Sequence, residues 1–149
     1  MVRLDELVYE HVQAGGRALY LAGDAGEGGA LAGLRFASLP TAESWRMAAG
    51  AAWARLDRLA PVPLGAGLGW EAAAIFPTLA IDAACLQPGD EQLAGWFEGW
   101  LANAGVFALR RRVGRGHLLA TTFRFAETYG LEPVATLLLN RLVEILDAA

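Results

Sequence analysis

Apolar residues recur along this chain with two different periods, and each change of period marks a change of element. Leu4, Leu7, Val8 and Val12 lie at helical spacing, with Asp5, Glu6, Glu10 and Gln13 on the other side. Gly15-Gly16 ends that helix as a C′ glycine does, and Arg17-Ala18-Leu19-Tyr20-Leu21-Ala22 follows as a mostly apolar strand expected to be buried on both faces. Helix, glycine pair and strand together are what an α/β layer requires. Near the other end, Val106 to Val113 is a run of strand formers. Gly114-Arg115-Gly116 punctuates it and His117 to Phe123 resumes it, with no Asp, Glu or Pro in either run. Glycine adopts positive φ without steric penalty, so the pattern predicts a β-hairpin. After Gly130 the period returns to 3.6: Val134, Leu137, Leu138, Leu142, Val143 and Leu146 fall on one stripe, and Pro133 occupies a first helical position.

The middle of the chain is less regular. Leu34 to Leu39 reads as a short strand closed by Pro40, and Gln87-Pro88-Gly89-Asp90 as a turn. Ser44 to Leu59 is ambiguous, because Met47, Ala51, Leu56 and Leu59 form a helical stripe that Gly50 weakens. Pro61 to Gly69 is irregular, and Trp70 to Ala84 is mixed, with Ile75, Phe76, Leu79 and Ile81 packing inward. Leu93 to Leu101 fits a strand better than a helix, given its two glycines and two tryptophans. No repeat interrupts the pattern, so residues 1–149 are expected to form one domain.

Composition narrows the function classes. The apolar share is 55 % against 19 % charged, and five tryptophans are expected to carry much of the packing area. A net charge of -4, with arginines clustered only at 110–112 and 115, opposes a nucleic-acid partner. No apolar run reaches a membrane-spanning length, and no signal segment opens the chain. Cys85 is the single cysteine, which rules out an internal disulfide and suits a reducing, cytoplasmic compartment. The chain starts almost directly in a helix, as a domain excised from a longer protein would.

None of the candidate chemistries assembles from the sequence. The glycine-rich loop Gly23 to Gly29 lacks a Gly-Lys-Ser/Thr ending. It also fails the dinucleotide spacing, since Leu31 stands where the third glycine belongs, and Asp24 and Glu27 would repel a phosphate. Glycoside hydrolysis needs two carboxyl groups at a controlled separation. The acids here (Asp57, Glu71, Asp82, Asp90, Glu91, Glu98 and Glu127 among them) are scattered and read as solvated surface charges. His11 and His117 sit in no metal-ligand motif. Cys85, in Asp82-Ala83-Ala84-Cys85-Leu86-Gln87-Pro88, lacks the glycine-flanked elbow of a nucleophile. On a strand, Arg110 to Arg112 alternate faces, which suggests a solvated edge or an ion-paired contact with another domain. The expectation is no catalytic residue, no metal and no cofactor.

Four segments resemble a known family. Arg111 to Arg124, written R-R-V-G-R-G-H-L-L-A-T-T-F-R, and Glu132-Pro133-Val134-Ala135-Thr136-Leu137-Leu138-Leu139 resemble the end of a glutamine-amidotransferase-like α/β domain. Such domains occur as accessory C-terminal modules of bacterial glycoside hydrolases, especially family 2 β-galactosidase-like proteins. Val12 to Leu21 resembles the opening helix and strand of the same fold, and Trp96-Phe97-Glu98-Gly99-Trp100 the stretch before the hairpin. The likeness touches both ends and about half the length; residues 40 to 90 match little of it. It implies a flavodoxin-like, class I glutamine-amidotransferase-like layered sheet with flanking helices, truncated here and ending in a β-hairpin and closing helix. The elbow cysteine, histidine and acid of active amidotransferases have no counterpart in this sequence, so amidotransferase activity is not implied. The (β/α)₈ barrel that carries the family 2 carboxylates needs about 250 residues, more than this chain has. The resemblance thus implies a parent enzyme that hydrolyses glycosides and a piece that does not.

Two functions stand ahead of a third, a stand-alone enzyme. One is a non-catalytic C-terminal module whose partners are the parent's catalytic barrel and, through an unpaired strand edge or apolar face, a second copy of itself in a two-fold dimer. The other is a sugar- or nucleotide-binding α/β domain whose ligand meets Asp24 and Glu27 at the C-terminal ends of the strands.

Overall fold

The computed structural model describes residues 4–24, 31–39, 50–99 and 103–148. Helix α1 (Leu4–Gln13) leads through Gly15, at φ +115°, into strand β1 (Arg17–Leu21). The later strands are β2 (Phe36–Ser38), β3 (Gly50–Ala54), β4 (Leu79–Asp82), β5 (Glu91–Glu98), β6 (Asn103–Val113) and β7 (Gly116–Thr121). A four-residue helix α2 (Leu56–Leu59) and the closing helix α3 (Pro133–Asp147) complete the layers, with short 3₁₀ turns at Ala22–Asp24, Trp70–Ile75 and Ala83–Cys85.

The eleven-residue β6 is the spine of a seven-stranded mixed sheet. β5 lies along one edge, with β3 beyond it. β7 takes the C-terminal half of the other edge through Ala108↔Thr121 to Val113↔Gly116, and β4 takes the N-terminal half through Ile81↔Val106 and Asp82↔Gly105. β1 adds to β7 and β2 to β4. Among the described strands only β1 and β7 pair in parallel, with Arg17 opposite His117; every other pairing is antiparallel. The mixed α/β class therefore stands, but the parallel layering of a flavodoxin-like sheet is absent from these strands. The hairpin accounts for the β6–β7 pairing, since two adjacent strands joined by two residues can only run antiparallel.

Each face of the sheet has its own core. Around Val12 of α1 cluster Leu31, Leu34, Ile81, Val106, Leu109, Val113, Leu118 and Ala120. On the other face Phe107, Leu119, Phe123 and Phe125 meet Ala135, Leu138, Leu142, Ile145 and Leu146 of α3. Phe107 is the hub of this second core, edge-on to both Phe76 and Phe123 at centroid distances of 5.6 and 5.9 Å. Strict alternation along β6 fails at Val106-Phe107-Ala108. There Val106 pairs with Gly95 and Ala108 with Ala94, leaving Phe107 as an extra residue. This β-bulge reverses the facing of the strand, so Val106 and Leu109 share one face.

Several expectations are corrected. β1 ends the sheet among the described strands and is only half-buried, although Leu19 and Leu21 pack toward one core and Ala18 and Tyr20 toward the other. Residues 50–54 of the ambiguous stretch form a strand, because Gly50 lies against the Trp96 ring, where a side chain would not fit. The buried stripe of α3 uses Ala135 and Ile145, while Leu137 and Val143 are exposed. Trp96 packs in the core, but Trp70 is 90 % exposed. Pro40, Trp45, Met47 and Trp100 lie outside the described residues.

Candidate functional site

The end of the parallel pair is where the sequence placed a ligand. Asp24 closes the 3₁₀ turn after β1, and Glu27 lies outside the described residues. Beside that turn is a crevice of about 370 Å³ lined by Gly23, Ala74, Thr78, Arg124, Glu127 and Thr128. It opens because β7 leaves β6 at Thr122, whose N–H still donates to Phe107 O, just where β4 joins the same edge. Gly23 packs against the carbonyls of Thr122 and Phe123, so no side chain fits there. Thr128 Oγ1 donates to Arg124 O at 2.7 Å, while the side chains of Arg124 and Glu127 reach solvent.

Asp57 and Glu127 are exposed as expected, but several other carboxylates are not solvated surface charges. Asp90 accepts from Nε and Nη2 of Arg111 at 2.9 and 2.6 Å, and the two side chains are only 4 % and 3 % exposed. Arg111 also donates from Nη1 to Ala32 O and from Nη2 to Cys85 O, tying the Leu31–Leu34 turn and the 85–90 loop to β6. The Asp90 hydrogen bonds hold the Arg111 guanidinium above its ordinary range. Neither the solvated edge nor the interdomain ion pair expected for these arginines describes Arg111, whose partner lies in the same chain. Arg112, one residue on, is exposed.

The other acids are similarly engaged. Glu91 sits between Arg58 and Arg110. Its Oε2 is 2.8 Å from Arg110 Nη2, within ion-pair range but not aligned for a hydrogen bond. Arg110 Nη1 reaches across to Ile145 O on α3. Asp82 caps the Ala83–Cys85 turn through Ala84 N–H and faces Arg35 at 3.5 Å. Glu71 accepts from the amides of Gly65 and Gly69, which hold its carboxyl below the usual carboxylate range. Glu98 is buried on β5. Cys85 donates its thiol hydrogen to Asp82 O at 2.9 Å and receives Arg35 N–H at 3.4 Å, so the sulfur belongs to a turn and has no imidazole beside it. His117 lies in register between Arg17 and Arg112; burial, together with the charges of Arg110, Arg112 and Arg17, pushes its pKa down.

On the α1 face lies an open cleft of about 960 Å³. Its walls are Glu6, Tyr9 and Glu10 of α1 on one side and Arg111, Arg112 and the hairpin turn on the other, with Ala32, Gly33 and Gln87 at its floor. The floor is shaped by a tight turn. Ala32 and Gly33 both have positive φ, at 52° and 79°, and Leu34 N–H donates to Leu31 O. This cleft went unread in the sequence, because its residues come from four separated segments.

No protein-family model matches the sequence, and no curated protein matches it. Among solved structures the chain is similar to a cold-adapted β-galactosidase from Rahnella sp. R3, with a TM-score of 0.50 and 15 % identity. The superposition covers 98 % of this chain and 21 % of that one. At that identity the likeness is one of fold: nearly all of this chain corresponds to about a fifth of a larger glycosidase.

Proposed function

We propose that residues 1–149 form one non-catalytic accessory domain of a larger cytoplasmic glycoside hydrolase, packed beside its catalytic barrel. The observation that carries this reading is the correspondence of 98 % of this chain to 21 % of a β-galactosidase. The hairpin and closing-helix motif, from which amidotransferase-like descent is inferred, supports it independently. So does the engagement of Asp90, Glu91, Asp82 and Glu71 in holding turns and strands together. β1, paired on one side only among the described strands, offers an edge for self-association, most simply as a two-fold dimer. Light scattering at high concentration would then give twice the chain mass; a strict monomer removes this part of the proposal. The reading as a whole is tested by sequencing the coding region upstream. A catalytic barrel in the same frame is expected, and an unrelated product there contradicts it.

The strand-end crevice favours a second reading, binding of a sugar or nucleotide at Arg124 with Asp24 nearby. Ligand-induced stabilisation that disappears in Arg124→Ala would support that reading, and stabilisation indifferent to the substitution would exclude it.

A further inference from the structure

We propose that the cleft between α1 and the β6–β7 hairpin binds a neutral oligosaccharide. This inference stands on the cleft alone and is independent of the chain's place in a longer enzyme. It begins with an accounting of Arg111. A guanidinium has five N–H groups. Nε donates to Asp90, Nη2 to Asp90 and Cys85 O, and Nη1 to Ala32 O. The fifth, the second hydrogen of Nη1, has no acceptor among the described residues, although the side chain is only 3 % exposed. Leaving a buried, charged donor short of an acceptor is unfavourable, so an oxygen reaching the cleft floor gains an interaction that is already oriented.

Gly33 keeps the approach clear. Its φ of +79° disfavours a side chain, and a Cβ there would lie 3.7 Å from Arg111 Nη1 and 3.9 Å from Gln87 Nε2. Two nitrogen donors therefore flank the space that the glycine leaves open. The facing wall is complementary. Tyr9, 40 % exposed, offers an aromatic surface on α1, and the carboxylate of the next residue, Glu10, offers acceptors.

The mixture of charges selects the ligand class. Glu6 and Glu10 oppose an anion and Arg112 opposes a cation, while Arg111 is balanced by Asp90, so neither phosphates nor basic peptides suit the cleft. A sugar is neutral, presents donors and acceptors at closely spaced hydroxyls, and carries an apolar ring face that packs on tyrosine. The volume of about 960 Å³ lies at the upper end of small-ligand sites and leaves room for more than one ring.

The test is an amide NMR titration of the full chain with lactose and with cellotriose. Shift changes should cluster at residues 9–10, 32–33, 87 and 111–114, and Tyr9→Ala should weaken binding by up to about tenfold while leaving the remaining spectrum unchanged. Gln87→Ala, also on the surface, should weaken it several-fold. The proposal is overturned if no shifts occur up to the solubility of the sugars, or if they gather at the Arg124 crevice instead. It is equally overturned if both variants bind as the parent does, or if glucuronate or glucosamine oligomers bind more tightly than the neutral ones.

Discussion

Arg111 and Asp90 form a two-pronged ion pair at 2.6 and 2.9 Å with both side chains almost wholly buried, and around it three otherwise separate segments are fixed. The pair joins the central strand to the 85–90 loop, and through Ala32 O to the turn that floors the cleft. Removing one partner leaves the other as an uncompensated buried charge, which costs about 3–5 kcal/mol. Asp90→Ala and Arg111→Met should each lower stability by about that amount in urea unfolding. The double substitution should cost less than the sum of the two, because no lone charge remains. Additive losses would show that the two side chains act independently.

His117 makes the fold sensitive to mild acid. Its pKa in the folded chain lies below the ordinary 6.5, because burial and three neighbouring arginines disfavour the imidazolium. Between the folded pKa and 6.5 the unfolded chain binds more protons, so stability rises with pH through that window. The contribution is complete above 6.5 and is lost as pH falls through the folded value. Thermal melts between about pH 5 and 8 should show this decline in the parent and a flatter profile in His117→Gln. Identical profiles would assign the slope to other groups.

Gly116 occupies a position where only glycine fits. A Cβ there would meet the carbonyl oxygens of Gly16 and Val12, both backbone atoms with nowhere to move, whereas one at Gly99 would meet nothing within 4 Å among the described residues. Gly116→Ala should therefore destabilise by about 1–3 kcal/mol or more, while Gly99→Ala should stay within about 0.5 kcal/mol of the parent. Equal effects in chemical denaturation would mean that the helix end does not press on the hairpin.

Phe107 and Trp70 separate burial from size. Phe107 is fully buried between Phe76 and Phe123, so Phe107→Ala should cost about 3–5 kcal/mol. Trp70, although larger, is 90 % exposed, and Trp70→Ala should change stability by no more than about 0.5 kcal/mol. A comparable loss at both positions would place Trp70 against other residues.

What could be read from the sequence was local. The hairpin, its glycine turn, α1, β1 and the closing helix each follow from a period or a punctuating residue, and the structure places them at 103–121, 4–21 and 133–147. Quantities that depend on distant partners were hidden. Nothing within β1 reveals that it lies at the sheet edge beside β7, a strand about 100 residues away in sequence. The bulge at Phe107 is invisible without the register of β5. Asp90 and Arg111 are 21 residues apart, and no spacing rule links a turn acid to a strand arginine. The cleft escaped for the same reason, since Tyr9, Gly33, Gln87 and Arg111 meet only in the folded chain.

The central claim is that the acidic side chains of this domain hold its architecture together and carry out no sugar cleavage. The most direct measurement is the release of nitrophenol from a panel of aryl β-glycosides by the purified chain. The account predicts no turnover above the buffer rate. Turnover that persists through repurification and is abolished by a single carboxylate substitution in a folded protein would contradict it.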